Sequence, residues 1–523
     1  MIRRMSLLVV LVAILEAIPA HASCSGACCG ANSSSYSCTA CQYGETGNCR
    51  AVNSCSRSDV QNAITDSSAG TSGYASSTSF GGDGVYVPAG SCSWSSAVVV
   101  DNQNVNIIGA GAGQTNITES DWGFYVDATN PAKGQFHISG FSILAPGASQ
   151  PAIGVIGNGA NASSYGWRID HNTISDSGTT GADLFAINGP TWGLLDHNTI
   201  SKNGGTVMQI ADYISTESGA ISSLFGQYST TLPLGLGTQN AVYMENNTYT
   251  CTDAGAGCAI FDSSSGGQRT VFRYNTATNG YFYSHWTRSG ELDGHKYEVY
   301  NNVFNGGAYG SGGGYPGRLE SGTGVIFNNT FVGYSAAYVV IDERRGSGAE
   351  TSSPLVACDG THSWDGNYGD TNAPGWPCLG QIGRSTGYTV NSSGTGHTVM
   401  ASVPLLAWNN STACSCSGNT YPVSGSSCTA GACSNSYTLA ISSSGGPRSD
   451  SAYLLNGAVA THNSMGSGNP GYGDADYCYG ASQAAILPCG NYNTTYTPYT
   501  YPHPLAGSQS TVPAPTGLQA TTN

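Results

Sequence analysis

One asparagine recurs at nearly constant intervals through the middle of the chain. The intervals are 26, 49, 28, 27 and 27 residues, and the 49-residue interval predicts an intervening repeat that has lost its asparagine. Repeats of this length are typical of chains that stack one structural unit on the next. The repeated segments are RIDHNTI, LLDHNTI, YMENNTY, VFRYNTA, EVYNNVF and VIFNNTF, centred on Asn172, Asn198, Asn247, Asn275, Asn302 and Asn329.

The residues around each asparagine alternate between apolar and polar. Ile169 and Ile174 flank the first asparagine, and Phe327 and Phe331 flank the last. A period of two, followed by Gly- and Ser-rich connections, predicts short strands and not helices. We therefore expect an all-β fold, a parallel β-helix (solenoid). Its asparagines should stack at the strand spacing of about 4.8 Å and form a hydrogen-bonded ladder.

A single helix is predicted before the repeats, in SRSDVQNAI. Ser58 and Gln61 have the spacing of a capping box, and Val60 and Ile64 lie on one helical face. We expect this helix to cover the open end of the first coil. Strand-like segments GDGVYVPAGSCSW and NVNIIGAG follow, so the β-helix with its capping helix is placed at 56–345.

These segments together resemble the pectin-lyase-like superfamily of secreted right-handed parallel β-helices. The resemblance covers the helix, GDGVYVPAG and the repeated I-x-x-N-T-I/F segments, and WRIDHNTIS is similar to the W-I-D-H segment of pectate lyases. It implies a right-handed coil and an activity on extracellular polysaccharide. The sequence lacks the arginine-proline-x-x-arginine motif of pectate lyases, so candidate catalytic residues are argued from this chain's own side chains.

The N-terminus has the features of a secretory signal peptide: a basic start, an apolar run and a small-residue cleavage site. The 18 cysteines are even in number and clustered, which outside the cell indicates disulfides. We expect a secreted protein (extracellular, periplasmic or cell-surface) without a membrane span. Its segments are a signal peptide at 1–22, a Cys-rich segment at 23–55, the β-helix at 56–345, a Gly/Ser/Cys-rich wrapping or capping region at 346–505 and a linker at 506–523.

The formal net charge of −15 argues against nucleic acid as a partner, because the summed field repels phosphates. The same field opposes nonspecific binding of any anionic polymer. An anionic polysaccharide partner therefore requires a local group of cations. The sequence leaves the oligomeric state open.

An acidic column precedes the ladder and consists of Asp170, Asp196 and Glu245. Alternation directs these side chains outward, and exposed carboxylates normally need no special role, so a solvated acidic face is the preferred interpretation. Two alternatives remain. Carboxylates about 5 Å apart suit a calcium site or the carboxylate pair of a retaining glycosidase. The sequence therefore leaves open whether calcium is a cofactor.

A cationic patch is predicted near the end of the repeats. Because the last three asparagines are equally spaced, residues at equal offsets from them are expected to stack. Offset 13 gives Arg288, Tyr315 and Asp342, and offset 16 gives Glu291, Arg318 and Arg345. The candidate catalytic residues are His285, Arg288, Lys296, Arg318 and Arg344, and the candidate substrate-binding residues are Tyr283, Trp286, Tyr315 and Arg345.

The patch contains the residue types that β-elimination of a uronate polymer requires. Arginines bind the sugar carboxylate, a neutral lysine, a histidine or an arginine removes the α-proton, and aromatic rings hold the sugars. The sequence thus predicts a polysaccharide lyase. The alternatives are a glycoside hydrolase of the same fold and a noncatalytic glycan-binding or adhesive surface solenoid, in which the arginines only pair with neighbouring carboxylates.

Overall fold

The computed structural model describes most of residues 30–67, 82–211, 235–332 and 477–507, and shorter segments at 339–341, 383–385, 401–413, 422–423, 426–427 and 460–461. The larger gaps within these ranges are at 129–134, 158–163, 179–182, 264–268, 285–295 and 307–315. In the described part, the protein is mostly β-strand with few helices and several disulfides. The disulfides with both partners described are Cys41–Cys49, Cys55–Cys92, Cys251–Cys258 and Cys478–Cys489.

Three long sheets, almost entirely parallel, dominate the described residues. The chain visits sheets A, B and C in turn, so neighbouring strands of one sheet belong to successive passes. We call one pass through the three sheets a coil. Sheet B consists of Gly90–Trp94, Thr115–Glu119, Phe141–Leu144, Thr173–Asp176, Thr199–Lys202, Thr248–Cys251, Thr276–Thr278, Val303–Asn305, Thr330–Val332 and Ser411–Ala413.

Sheets A and C flank sheet B in each coil. The described strands of sheet A are Tyr36–Thr39, Cys49–Val52, Asp83–Val87, Val105–Gly109, Phe136–Ser139, Ser164–Asp170, Thr191–Asp196, Val242–Glu245, Arg269–Arg273, Lys296–Tyr300, Thr323–Phe327, Leu405–Trp408, Ala460–Thr461 and Tyr477–Gly480. Those of sheet C are Val98–Asp101, Phe124–Asp127, Ile153–Ile156, Phe185–Asn188, Gly205–Ala211, Cys258–Ser263, Gly280–Ser284, Gly317–Leu319 and Val339–Ile341. Sheets A and B thus include strands beyond residue 345, which is the predicted end of the β-helix.

The interior is filled by columns of apolar side chains from equivalent positions of successive coils. In sheet A, Ile138, Ile169 and Leu195 are register partners, and all three are fully buried. In sheet B, Ile143, Ile174 and Ile200 form the equivalent column. Each fully buried aliphatic side chain stabilises the fold by about 1.5–3 kcal/mol relative to an exposed one.

The predicted helix spans Arg57–Thr65 and begins earlier than its expected capping box. Ser56, not Ser58, is the N-cap and accepts a hydrogen bond from the Asp59 amide. Gln61 instead bonds both backbone groups of Val99, which ties the helix to the first strand of sheet C. A second short helix spans Gln483–Ile486, and 3-10 turns lie at Ser33–Ser35 and Pro504–Ala506. No described helix is long and apolar enough to cross a membrane.

The asparagines at the turns between sheets A and B hydrogen-bond one another from coil to coil. Each side-chain amide donates to the carbonyl oxygen of the next, over 2.9–3.2 Å. Asn198 donates directly to Asn247 at 3.0 Å, so the expectation of a missing coil between them is wrong. That interval is one coil with a long connection. The ladder also continues to Asn410, which accepts from Asn329 at 3.0 Å.

We expect Asn198→Ala to lower the free energy of unfolding by about 1–3 kcal/mol. The substitution removes the donor to the Ile169 carbonyl and the acceptor for the Asn172 amide, in a buried turn. Denaturant unfolding measures the loss. Asn305→Ala, on sheet B outside the ladder, is the matched control. An unchanged unfolding free energy in Asn198→Ala would show that the ladder does not stabilise the protein.

The outer face of sheet A carries a second apolar core beneath the C-terminal residues 483–507, which we call the C-terminal cover. Tyr243, Val271 and Phe327 pack against Ile486 and other apolar residues of this segment. Hydrogen bonds to buried charged side chains of sheet A hold it in place. Arg273 binds Glu245 and the carbonyls of Tyr499 and Thr500, and Tyr496 donates to Glu298.

Candidate functional site

The acidic column does not form a solvated face, which corrects the sequence interpretation. Asp170, Asp196 and Glu245 are fully buried, because the C-terminal cover lies over this part of sheet A. The His503 amide of the cover donates to Glu245 at 2.8 Å. The alternation of apolar and polar residues correctly predicts that these side chains point away from the inner core. They are nevertheless buried, because the C-terminal cover encloses them.

Two arginines pair with the three carboxylates of the column. Arg168 contacts Asp170 at 2.8 Å and Asp196 at 2.6 Å, and Arg273 contacts Glu245 at 2.6 Å. His137 lies 2.7 Å from the other oxygen of Asp170. Burial alone would raise the pKa of Asp170, but His137 and Arg168 hold that pKa well below its ordinary value. The carboxylate oxygens that a calcium ion would need therefore already lie against arginines, His137 or the His503 amide.

Calcium removal should leave the melting temperature unchanged. A ligand that binds only the native state stabilises it by mass action, so a calcium ion on this column would make the protein sensitive to chelation. We expect a shift within experimental error when EGTA is added during thermal unfolding. A clear fall that is abolished in Asp196→Asn would establish a calcium site here.

Two imidazoles lie at the rim of the acidic column. His171 and His197 occupy equivalent turns of consecutive coils, and their rings stack with centroids 5.1 Å apart and planes within 3°. Nδ1 of each ring contacts the preceding aspartate, at 3.1 Å for His171 and 2.8 Å for His197. Each repeated Asp-His pair thus places a partly exposed imidazole beside a buried carboxylate; the contact is a hydrogen bond at His197, whereas His171 Nδ1 makes none.

The cationic patch is only partly covered by the described residues. Tyr283, Lys296 and Arg318 are described. The members that lie outside the described residues are His285, Trp286, Arg288, Tyr315, Arg344 and Arg345.

Lys296 does not share a site with Tyr283 and Arg318. It lies in sheet A, fully buried, with Nζ 3.0 Å from Glu298 and 2.6 Å from the Gly235 carbonyl. Burial lowers the pKa of Lys296, opposed by Glu298. Tyr283 and Arg318 lie in sheet C. The grouping of Lys296 with them is therefore wrong, and an enclosed amine of this kind does not reach a polymer.

The expected stacking by equal offsets is also wrong. Arg318 is the register partner of Tyr283 on one side and of Val340 on the other, not of residues at offset 16. The long connection follows sheet C in the coil that contains Tyr283, but it precedes sheet C in the coil that contains Arg318. Coils with equal intervals between their asparagines can therefore have their long connections at different positions.

Tyr283 and Arg318 form a contact on the outer face of sheet C. The Arg318 guanidinium lies 5.7 Å from the centroid of the Tyr283 ring, and both side chains are partly exposed. Register places Asp262 beside Tyr283 and Gln209 beside Asp262. A carboxylate, an aromatic ring and a guanidinium thus follow one another on three neighbouring strands.

The register continues from Gln209 to the preceding strands of sheet C, where small residues, Ala186 and Gly154, occupy the equivalent outward positions. Trp122 lies across Gly154, where an added Cβ would fall 2.0 Å from its ring, and contacts Tyr125 edge to face. Seven consecutive strands contribute, which at strand spacing spans about 29 Å. We call these residues the sheet C column: Tyr125, Gly154, Ala186, Gln209, Asp262, Tyr283 and Arg318.

Asp183 lies two residues before the sheet C strand Phe185–Asn188 and was not predicted as a site residue. Burial and the charge of Asp262 raise the pKa of Asp183 to about 6, against the opposing charge of Lys202. A carboxyl group with a raised pKa near a second carboxylate is typical of acid–base sites. The sequence carried no signal for this pair, because Asp183 and Asp262 come from coils that are not adjacent in sequence.

No protein-family model matches the chain, and no curated protein matches it. Two solved structures show partial similarity. The Geobacillus virus E2 protein ORF18 is 15% identical over 55% of this chain and 55% of its own, with a TM-score of 0.25. The catalytic domain of a GH87 α-1,3-glucanase in complex with tetrasaccharides is 12% identical over 64% of this chain and 62% of its own, with a TM-score of 0.22. Similarities this low carry no argument about fold or function.

Proposed function

We propose that this protein is a secreted right-handed parallel β-helix that binds a uronate-containing polysaccharide on the sheet C column and cleaves it by β-elimination. Three sheets visited in turn and the asparagine ladder support the β-helix. The helix Arg57–Thr65, which packs on the first sheet C strand, is proposed as its cap. The signal-like N-terminus at 1–22 and the disulfides support secretion.

The observation that carries the proposal is the Arg318 guanidinium over the Tyr283 ring on a partly exposed face. A guanidinium offers two parallel donors to a carboxylate, and it keeps its charge at every physiological pH. The exposed part of the tyrosine ring offers an apolar surface to a sugar. A local cation of this kind is what a protein of net charge −15 needs in order to hold an anionic polymer.

β-Elimination then requires a base near the bound carboxylate. Asp262 lies on the strand next to Tyr283, and His285 follows Tyr283 by two residues; we propose these two as candidates. Arg288 and Arg344 remain proposed carboxylate ligands, with Trp286, Tyr315 and Arg345 as proposed sugar contacts. We assign to Arg318 the role of stabilising the enolate-like charge that develops on the sugar carboxylate.

A panel of purified polysaccharides tests the proposal. We expect ultraviolet absorbance from an unsaturated uronate product with a uronate polymer, and none with a neutral glucan of similar length. Affinity electrophoresis on the same polymers measures binding separately from cleavage. Equal binding of neutral and uronate polymers would contradict the assigned role of Arg318, and binding without any product would favour the noncatalytic glycan-binding solenoid.

Glycoside hydrolysis is a second candidate, and the raised pKa of Asp183 favours it. A carboxyl group with a pKa of about 6 can donate a proton to a leaving sugar, and Asp262 is the neighbouring carboxylate. Hydrolysis releases reducing ends without ultraviolet absorbance. Rate loss in Asp183→Asn, together with loss of the basic limb of the pH profile near pH 6, would identify this mechanism; an unchanged profile would exclude Asp183 as the acid.

A further inference from the structure

The outer face of sheet B carries hydroxyl groups in two straight columns. In four consecutive strands the first outward residue is threonine, and these threonines are register partners: Thr173, Thr199, Thr248 and Thr276. The next outward residue of each strand, two positions later, is serine or threonine, and all of these side chains are exposed or partly exposed. We call the outward residues of these strands the hydroxyl face; the strands are Thr173–Asp176, Thr199–Lys202, Thr248–Cys251 and Thr276–Thr278.

The hydroxyl face is a regular two-dimensional lattice, because sheet B keeps one register from strand to strand. Its described pairings contain no register shift, whereas pairings in sheets A and C do. Neighbouring side chains of one column are therefore about 4.8 Å apart, and the two columns are about 6.6 Å apart. Branching at Cβ restricts χ1 of each threonine, so its hydroxyl and methyl groups are ordered before any partner binds.

Neither strand propensity nor the needs of the fold account for this face. Threonine is favoured in exposed strands generally, yet the sheet C column, which is formed by the same coils, contains no threonine or serine. Among the described residues, no side chain of the hydroxyl face hydrogen-bonds another part of the protein. The hydroxyl groups are therefore available to an external partner.

The outer face of sheet B is also uncharged. From Gly90–Trp94 to Val303–Asn305, every outward residue is Ser, Thr, Asn, Leu or Val, although the protein has a formal net charge of −15. A charged side chain would hold its own hydration shell and oppose close contact with an uncharged surface. These outward positions also lack the aromatic rings on which sugars stack. The face thus complements an uncharged, periodic, hydrogen-bonding partner and not an anionic polymer.

We propose that the hydroxyl face binds the surface of an ice crystal. The oxygen atoms on a prism face of hexagonal ice repeat in two perpendicular directions, at lengths close to the two spacings of this lattice. Each water can donate and accept hydrogen bonds, as each hydroxyl group can. The threonine methyl groups add apolar contact, as do Leu144 and Val303, which lie on the same side of sheet B and are 38% and 39% exposed.

Binding of this kind requires many weak contacts made at once, which a rigid lattice supplies without ordering costs. Protein adsorbed on the crystal blocks further growth there, so the freezing temperature falls below the melting temperature. The inference concerns a different sheet from the sheet C column and does not depend on the polysaccharide activity proposed above.

Thermal hysteresis, the gap between the melting and freezing temperatures of a single ice crystal, tests the proposal. We expect the purified protein to produce hysteresis and to partition into a slowly growing ice front, whereas serum albumin at the same concentration does neither. Thr248→Tyr places a bulky ring at an exposed position inside the lattice and should abolish both effects. Thr495→Tyr, the same substitution at an exposed position of the C-terminal cover, is the matched control and should retain them.

A gain of function provides a second test. Val303 is the register partner of Thr276 on one side and of Thr330 on the other, so Val303→Thr should lengthen the run of threonines and increase hysteresis. Circular dichroism and thermal unfolding show whether each variant is folded. Absence of hysteresis and of ice partitioning in the parent would overturn the proposal, and so would full activity in folded Thr248→Tyr.

Discussion

Arg318→Ala is expected to lower the turnover of a uronate polymer by about 10²–10³-fold, because it removes a donor that stabilises charge in the transition state. The same substitution should weaken polymer binding less, since Tyr283 and the rest of the sheet C column remain. Arg318→Lys keeps the positive charge but loses the two-pronged donor, so we expect it to be impaired as well. The rate of formation of the unsaturated product measures the effect.

Folding must be shown separately, because Arg318 packs on Tyr283 and its loss alters a surface contact. Arg57→Ala is the matched control: it removes a guanidinium that bonds the Ala97 carbonyl, beside a strand of sheet C that lies seven strands from that of Arg318. Full activity in folded Arg318→Ala would contradict the site assignment. No turnover of any polymer by the parent would contradict the lyase proposal itself.

Arg273→Met is expected to lower the free energy of unfolding by about 3–5 kcal/mol, the cost of leaving a buried charge without its partner. Glu245 is fully buried and would lose both its 2.7 Å hydrogen bond and its ion pair. The Tyr499 and Thr500 carbonyls would lose their donors at the same time. Denaturant unfolding measures the stability, and hydrogen exchange reports whether residues 492–507 become less protected.

The double variant Glu245→Gln/Arg273→Met separates charge from packing. It removes the isolated carboxylate, so we expect it to recover part of the loss seen in Arg273→Met alone. If Arg273→Met lowers the free energy of unfolding by less than about 1 kcal/mol, the Arg273–Glu245 pair is no stronger than an ion pair on a protein surface. That result would contradict the view that buried charges hold the C-terminal cover.

The asparagine spacing predicted the stacking of strands because a turn residue repeats wherever the backbone repeats. It could not show where extra residues enter a coil. The connection between Asn198 and Asn247 lengthens one coil without adding another, and the two coils that contain Tyr283 and Arg318 place their connections at different corners. The interval between two ladder asparagines gives the number of residues in a coil. Which side chains become neighbours depends on how those residues are distributed among the strands and connections of that coil.

Burial of the acidic column had no local signal in the sequence. Alternation directs Asp170 and Asp196 out of the inner core, and an outward carboxylate normally meets water. Their enclosure depends on a segment from the other end of the chain and on Arg168 two residues before Asp170. Tyr283 and Arg318 were found from the sequence as residue types, but their contact depends on a register that only the structure supplies.

The C-terminal cover also constrains the order in which the molecule can be completed. Tyr496 bonds Glu298 across 198 residues of sequence, and His503 bonds Glu245 across 258. Coils form from strands that are neighbours in the chain, so they can assemble while synthesis proceeds from the N-terminus. Among the described residues, the segment 483–507 is what packs on the apolar outer face of sheet A. A nascent chain, or one cut before residue 483, would therefore present that face to chaperones or to other chains.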